Sequence, residues 1–307
     1  MLDPQLLHLS VLVMAPFALA ALGELLMERA GVLNVAIEGM MAIGASLGFL
    51  AAFRSGSVLE GLAVAAAAGA AIALLLGLFA ITLRSDQITI GLVLLVLSVG
   101  LASLVYRAVI GISLEAPLVA VLQDIPIPVL ASIPVLGVML FDQNLIVYAT
   151  YLLVPALWIL LFQTQLGLRI RACGDNPRAA DSLGVRVVPI RYATTLVGGM
   201  LIGLAGAYLP LAITGGYQDG IVGGRGWIAL MLVIFGRWQP PLVVVGCLLF
   251  AYVEALQFKL AGILKVLPPQ ALGSLPYVLA IVGLVSVYRN ARAPAALGLP
   301  FDREQRT

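Results

Sequence analysis

Four side chains carry most of the chemical capacity of this sequence's apolar regions. Asn34 and Glu38 stand four residues apart in one hydrophobic run, and Tyr217 and Arg225 lie in a glycine-rich run in the second half. On a helix the first pair would share a face about one turn apart. A carboxylate near the centre of a bilayer costs about 2.5–3.5 kcal/mol on an insertion scale, so Glu38 must face protein or a water-filled path. It is expected either to pair with a neighbouring helix or to line a route for a polar solute. Arg225 and Trp227 open a short apolar run where they can meet a solute or anchor at the membrane interface, and anchoring is the expectation for Trp227.

Catalytic chemistry finds little support. Gly44-Ala45-Ser46-Leu47-Gly48 has nucleophile-elbow spacing, but it lies inside an apolar run and not at a strand-to-helix turn. A serine nucleophile also needs a base, and the single histidine, His8, sits near the start of the first apolar run. No glycine-rich phosphate loop ending in Gly-Lys-Ser/Thr is present. Cys173 falls in a polar loop and Cys247 in an apolar run, so neither a disulfide framework nor a metal site follows. No catalytic residue, metal or cofactor is expected.

The elements that must position these residues are hydrophobic throughout. Of 307 residues, 62% are hydrophobic and 10% charged, with a mean hydropathy of +1.10. Soluble domains carry about a quarter charged residues. The expected fold is an all-α, polytopic integral membrane protein: a single transmembrane domain over 1–307 with about 8–10 helices, some broken or re-entrant. A net charge of +2 leaves no electrostatic footprint for nucleic acid. The N-terminus lacks the basic region of a signal peptide, so its apolar run is expected to be retained.

Spans are expected at 6–23, 31–53, 58–83, 88–110, 144–162, 192–214, 242–258 and 275–288. Glu24, Glu28 and Arg29 read as an aqueous boundary, and Asp86 and Gln87 as solvated turn residues. Residues 111–143 combine four prolines and three acids with no basic residue, which fits an external loop on the membrane surface. The run 227–236 makes roughly 15 Å of helix, about half of a 30 Å core, and reads as broken or re-entrant. Glycine-interrupted segments, 31–48 and 215–236, fall in the two halves of the chain, the pattern that points to a transport site. Gly199 and Gly203 have the spacing of close helix packing.

The longest polar interruption, 163–191, holds five of the seventeen basic residues against two acids. That bias predicts a cytoplasmic loop. Alternate threading then places the N-terminus outside, the C-terminus inside and about nine crossing elements between them, counting the short one. Within the loop, Asn176 suits N-cap, Pro177 suits N1 and Gly184 suits a left-handed C-terminal position. A helix of about two turns is marginal alone in water and needs something to dock against.

These motifs carry a family resemblance. Arg178-Ala179-Ala180-x-x-x-Gly184 resembles the Glu-Ala-Ala-x-x-x-Gly loop of ABC importer permeases, with Arg178 in place of Glu. Glu28-Arg29-Ala30-Gly31-Val32-Leu33-Asn34-Val35-Ala36-Ile37-Glu38-Gly39 resembles the N-terminal signature of the branched-chain amino acid, simple-sugar and nucleoside permease group. Gly224-Arg225-Gly226-Trp227-Ile228-Ala229-Leu230 and the ending Arg292-Ala293-Pro294-Ala295-Ala296-Leu297-Gly298 look most like its nucleoside-type branch.

The resemblance implies a multi-pass permease of a bacterial or archaeal-type plasma membrane, without an ATPase site of its own. The implied partners are cytoplasmic ABC ATPase subunits, a second homologous permease and an extracytoplasmic substrate-binding protein. Coupling to the ATPase would fall to Asn176, Pro177, Arg178, Ala179, Ala180, Asp181 and Gly184. Asn34, Glu38, Tyr217 and Arg225 would be candidates for the substrate path, with a nucleoside or related sugar-containing solute as cargo. The competing reading is an ion-coupled secondary transporter of a small polar solute, whose uptake would survive ATP depletion and collapse with the ion gradient.

Overall fold

The computed structural model describes residues 3–111, 117–128, 130–131, 133, 136–263, 273–276, 278, 283 and 292–302. Among these, seven helices are long and apolar enough to cross a membrane. They are α1 (Pro4–Arg29), α2 (Ile37–Ser55), α3 (Val58–Gly77), α4 (Gln87–Ile110), α6 (Leu145–Gln163), α9 (Val187–Tyr208) and α11 (Pro240–Ile263). Short α5 (Leu136–Leu140), α7 (Gln165–Asp175), α8 (Pro177–Ser182) and α10 (Arg225–Phe235) lie between them. A two-stranded antiparallel ribbon, β1 (Asp124–Pro126) with β2 (Asp142–Asn144), pairs Asp124 with Asn144. The all-α polytopic expectation is met. The span expected at 275–288 lies largely outside the described residues.

The core is made of α1, α2, α3 and α9, packed through small residues. A Cβ at Gly199 would lie 2.7 Å from the Gly69 carbonyl oxygen, and one at Gly203 would lie 2.2 Å from that of Ala65. Lipid tails are as apolar as leucine, so helices in a bilayer associate through such close contact rather than through expulsion of water. The expected packing role of Gly199 and Gly203 therefore holds. Ser46 fits the same interior, its hydroxyl donating to the Ala102 carbonyl at 2.8 Å.

Both α3 and α9 end in wide π-helical turns, Leu78–Thr82 and Leu209–Thr214, the second containing Pro210. Such turns often mark functional sites in helices. The second leads into the irregular segment 215–224, which ends at Gly224 in a left-handed conformation. Residues 117–122 run alongside its start, with the amides of Val119 and Leu122 donating to the carbonyls of Gly215 and Leu211.

The two ends of the bundle collect different loops. Asp3, His8, Val138 and the β1–β2 ribbon meet at one end, where Lys259 pairs with Asp3 and His8 contacts the Val138 carbonyl and Asp124. At the other, Arg84 pairs with Asp302 at 2.8 Å, and Arg191 joins Ala30 to Leu299. Alternate threading of the spans predicts this division.

Three sequence expectations are corrected. Glu24 and Glu28 do not mark an aqueous boundary: α1 runs through them, and they are 0% and 1% exposed. Glu24 Oε1 accepts the Asn34 amide, and Glu28 accepts the Trp238 indole N–H. Gln87 is not a solvated turn residue, because it is 1% exposed and its Oε1 accepts the Leu33 amide at 2.7 Å. Its neighbour Asp86 does cap α4, accepting from the Thr89 amide at 2.8 Å. Arg191 belongs to α9 and is fully buried, where it donates to the carbonyls of Ala30, Cys173 and Leu299.

Candidate functional site

Two regions gather the functional side chains. The first is the ledge formed by α7 and α8. Thr164 caps α7 by accepting the Gly167 amide at 3.0 Å, and Asn176 caps α8 by accepting the Ala179 amide at 3.0 Å. Pro177 occupies N1, where its missing N–H costs nothing. Gly184 follows at φ +84°, a conformation an L side chain resists.

The capping residues thus shape α8, while its two faces do different work. Ala180 is buried with Cys173 and Val187 against Phe301. Arg178, Ala179 and Leu183 point outward, and Leu183 is 84% exposed. Asp181 lines a cavity of about 370 Å3 with Arg84, Arg186 and Phe301. Leu183 was invisible as a functional candidate because a single leucine in a polar loop carries no pattern of its own.

The ledge is held tightly to the transmembrane core. A Cβ at Gly174 would lie 2.3 Å from the Arg29 carbonyl oxygen, so the ends of α7 and α1 touch backbone to backbone. The guanidinium of Arg191 ties this contact to the C-terminal residues. Arg29 and Arg171 both sit over the Phe162 ring, at 5.3 and 5.1 Å. Burial pushes the Cys173 thiol up to about 11, because the thiolate would lose its hydration.

The second region lies where the two broken segments meet. Glu38, in the first turn of α2, accepts the amides of Gly224 and Gly226, both at 2.8 Å. These are orphan donors at the start of α10, so Glu38 caps a helix 186 residues away in sequence. A Cβ at Gly226 would meet the Glu38 amide nitrogen at 2.5 Å, which permits no side chain there. The structural pairing expected of Glu38 is made with a helix terminus rather than with a charged side chain.

Glu38 also borders a cavity of about 240 Å3 with Val99, Ser103, Tyr217, Asp219 and Ile221. Tyr217 is buried, its ring 4.6 Å from that of Tyr106 and 6.4 Å from that of Phe49. Burial pushes its hydroxyl up to about 12. Asp219 accepts from Arg107 at 2.8 Å and Ser103 at 3.0 Å, and the Arg107 hydrogen bond holds its carboxyl below the usual carboxylate range.

Asn34 and Arg225 stand apart from this cavity. Asn34 lies in the break before α2, not on a helix face shared with Glu38, and its Oδ1 accepts the Ala36 amide at 2.9 Å. Arg225 pairs with Glu254 at 2.7 Å, donates to the Ile221 and Val222 carbonyls, and sits over Phe17. Its hydrogen bonds lock the start of α10 to α11. Ser103, Tyr106 and Arg107 escaped the sequence reading, although polar residues three and four apart on one apolar helix are a readable stripe.

Residues 6–287 match the family described as branched-chain amino acid transport system / permease component. A Haloferax volcanii protein named as a glucose ABC transporter permease is 34% identical over 97% of this chain and 98% of its own length. The guanosine ABC transporter permease NupQ of Bacillus subtilis is 33% identical over 95% of this chain and 94% of its own. The fold is shared with an inward-facing structure assigned to the metal-chelate type of ABC transporter, at a TM-score of 0.54 and 21% identity, covering 93% of this chain and 85% of that one. The chain belongs to the branched-chain amino acid transport system / permease component family and is a multi-pass membrane permease of the ABC type.

Proposed function

We propose that this permease carries a nucleoside or a related sugar-containing solute inward across the plasma membrane, driven by ATPase subunits bound at the ledge. The observation that carries the mechanism is α8 itself: a capped, six-residue helix with one face buried against α7 and α9 and the other open to a partner. Its buried face supplies the docking that so short a helix needs, and its outward face offers Arg178, Ala179 and Leu183. Asn176, Pro177 and Gly184 set its shape, Ala180 seats it, and Asp181 lies at its edge.

In this reading the arginine-rich end, with Arg84, Arg169, Arg178, Arg186 and Arg237, faces the cytosol. The described residues of 117–143, at the opposite end, face outward and receive a substrate-binding protein. A second homologous permease completes the path along Glu38 and Tyr217. Closure of the ATPase pair moves α7 and α8, and the backbone contact at Gly174 together with Arg191 transmits that movement to α1 and the break before α2. Transport then follows from a difference in stability between inward- and outward-facing states that ATP binding reverses. The cargo class is supported by the names of the glucose and guanosine relatives.

The test is co-purification. Leu183→Glu and Ala179→Trp should abolish recovery of the ATPase with the permease and abolish uptake, while leaving the permease folded in the membrane. Retention of the ATPase by both variants would remove the ledge from the coupling role. Uptake that survives ATP depletion would replace this mechanism with ion coupling.

A further inference from the structure

We propose that the cavity between α2, α4 and the 215–224 segment is a half-site for cargo, in which Tyr217, backed by Tyr106, supplies a stacking surface and Asp219 with Ser103 binds hydroxyl groups. The inference rests on the nucleoside-or-sugar reading and names the residues of this chain that would serve it.

Three observations converge on the cavity. The first is its chemistry. It combines the Tyr217 ring, packed on Tyr106, with the Asp219 carboxylate and the Ser103 hydroxyl, the groups that a ring-bearing, polyhydroxylated solute requires. Base-on-aromatic stacking and charge-assisted hydrogen bonds from hydroxyls are the two interactions such a solute offers. Asp219 is already held in place by Arg107 and Ser103, so its orientation is set before a solute arrives.

The second observation is exposure. Asp219 and Arg107 are paired, yet their side chains remain 41% and 70% exposed on the flank of α4. Leu104, three residues before Arg107 on the same helix, is exposed and apolar. Lipid tails would solvate neither charge, so the pair faces water or protein.

The third is size. At about 240 Å3 the cavity is smaller than the roughly 300–1,000 Å3 of drug-sized ligand pockets, so it encloses only part of such a ligand. The projecting part requires a facing wall, which a second permease supplies. Glu38 closes the floor of the cavity while capping α10, so movement of that helix reshapes the half-site directly.

The experiment uses the full transporter in cells, with radiolabelled guanosine and glucose for uptake and 8-azidoguanosine for photolabelling. Tyr217→Leu should lower the maximal guanosine uptake rate by at least about fivefold, the low end of what loss of one stacking partner costs. Tyr217→Phe should stay within about twofold of wild type, because the ring remains. Asp219→Asn should reduce uptake without reducing recovery of the assembled transporter. Gly100→Ala, where an added Cβ meets nothing within 4 Å, is the neutral control on α4. Photolabel should attach within 215–224 and should diminish in Ser103→Ala, a reading that stands even where Tyr217→Leu fails to accumulate. Wild-type uptake in Tyr217→Leu and Asp219→Asn, or photolabel attached elsewhere, would overturn the half-site and leave the cargo class intact. A wild-type transporter that moves neither guanosine nor glucose would overturn both.

Discussion

Replacing Glu38 by alanine tests the join between the two broken segments. The carboxylate accepts two backbone amides at 2.8 Å, from Gly224 and Gly226. A hydrogen bond to a charged group contributes about 1.5–3 kcal/mol, and a buried donor left unsatisfied costs about 1–3 kcal/mol. Glu38 is only partly buried, so water can reach the site and relieve part of that loss. A net cost of about 3 kcal/mol follows, or roughly a hundredfold in the local opening equilibrium. Glu38→Gln should lose about half as much, because its amide oxygen satisfies one donor while its NH2 group opposes the other. Amide hydrogen exchange at Gly224 and Gly226, read by mass spectrometry on the detergent-purified protein, measures the opening. Exchange should accelerate about hundredfold in Glu38→Ala and about tenfold in Glu38→Gln, with α3 and α9 unaffected. Unchanged exchange at both glycines in a folded Glu38→Ala protein would refute the capping role.

Other perturbations follow from the same contacts. Gly203→Leu should prevent α3 and α9 from approaching, since its Cβ alone would lie 2.2 Å from the Ala65 carbonyl oxygen; the yield of monodisperse protein in detergent should fall sharply. Arg191→Ala should strip three carbonyls of their donor and free residues 292–302, which limited proteolysis of the C-terminal region will register. Cys173 should resist maleimide near neutral pH, because it is buried and its thiol is pushed up to about 11. Its reactivity should rise with pH toward that value and jump on unfolding; rapid labelling of the folded protein at pH 7 would contradict its burial within the ledge, against α8.

The sequence disclosed what depends on local pattern. Long apolar runs announced the spans, and Asn176, Pro177 and Gly184 announced α8 because capping chemistry acts within a few residues. The glycines of 215–224 announced a break for the same reason. What stayed hidden depends on partners far away in the chain. Glu24 and Glu28 look like a water-facing boundary until the Asn34 amide and the Trp238 indole are placed beside them. Gln87 looks like a turn residue until it meets Leu33, 54 positions earlier. Arg225 looks available to cargo until Glu254 reaches it from α11. In each case hydropathy reports the cost of burying a polar group, and tertiary structure supplies the hydrogen bond that offsets it.

The orientation of α8 can be measured directly with Ser182→Cys, because the native Cys173 and Cys247 are both buried and leave little background. Ser182 is exposed on the ledge beside Leu183. A membrane-impermeant maleimide should leave this variant unlabelled in intact cells and label it in inside-out vesicles, with ATPase subunits bound at the ledge slowing the reaction. Rapid labelling in intact cells would put the ledge on the outer face and remove the ATPase from it.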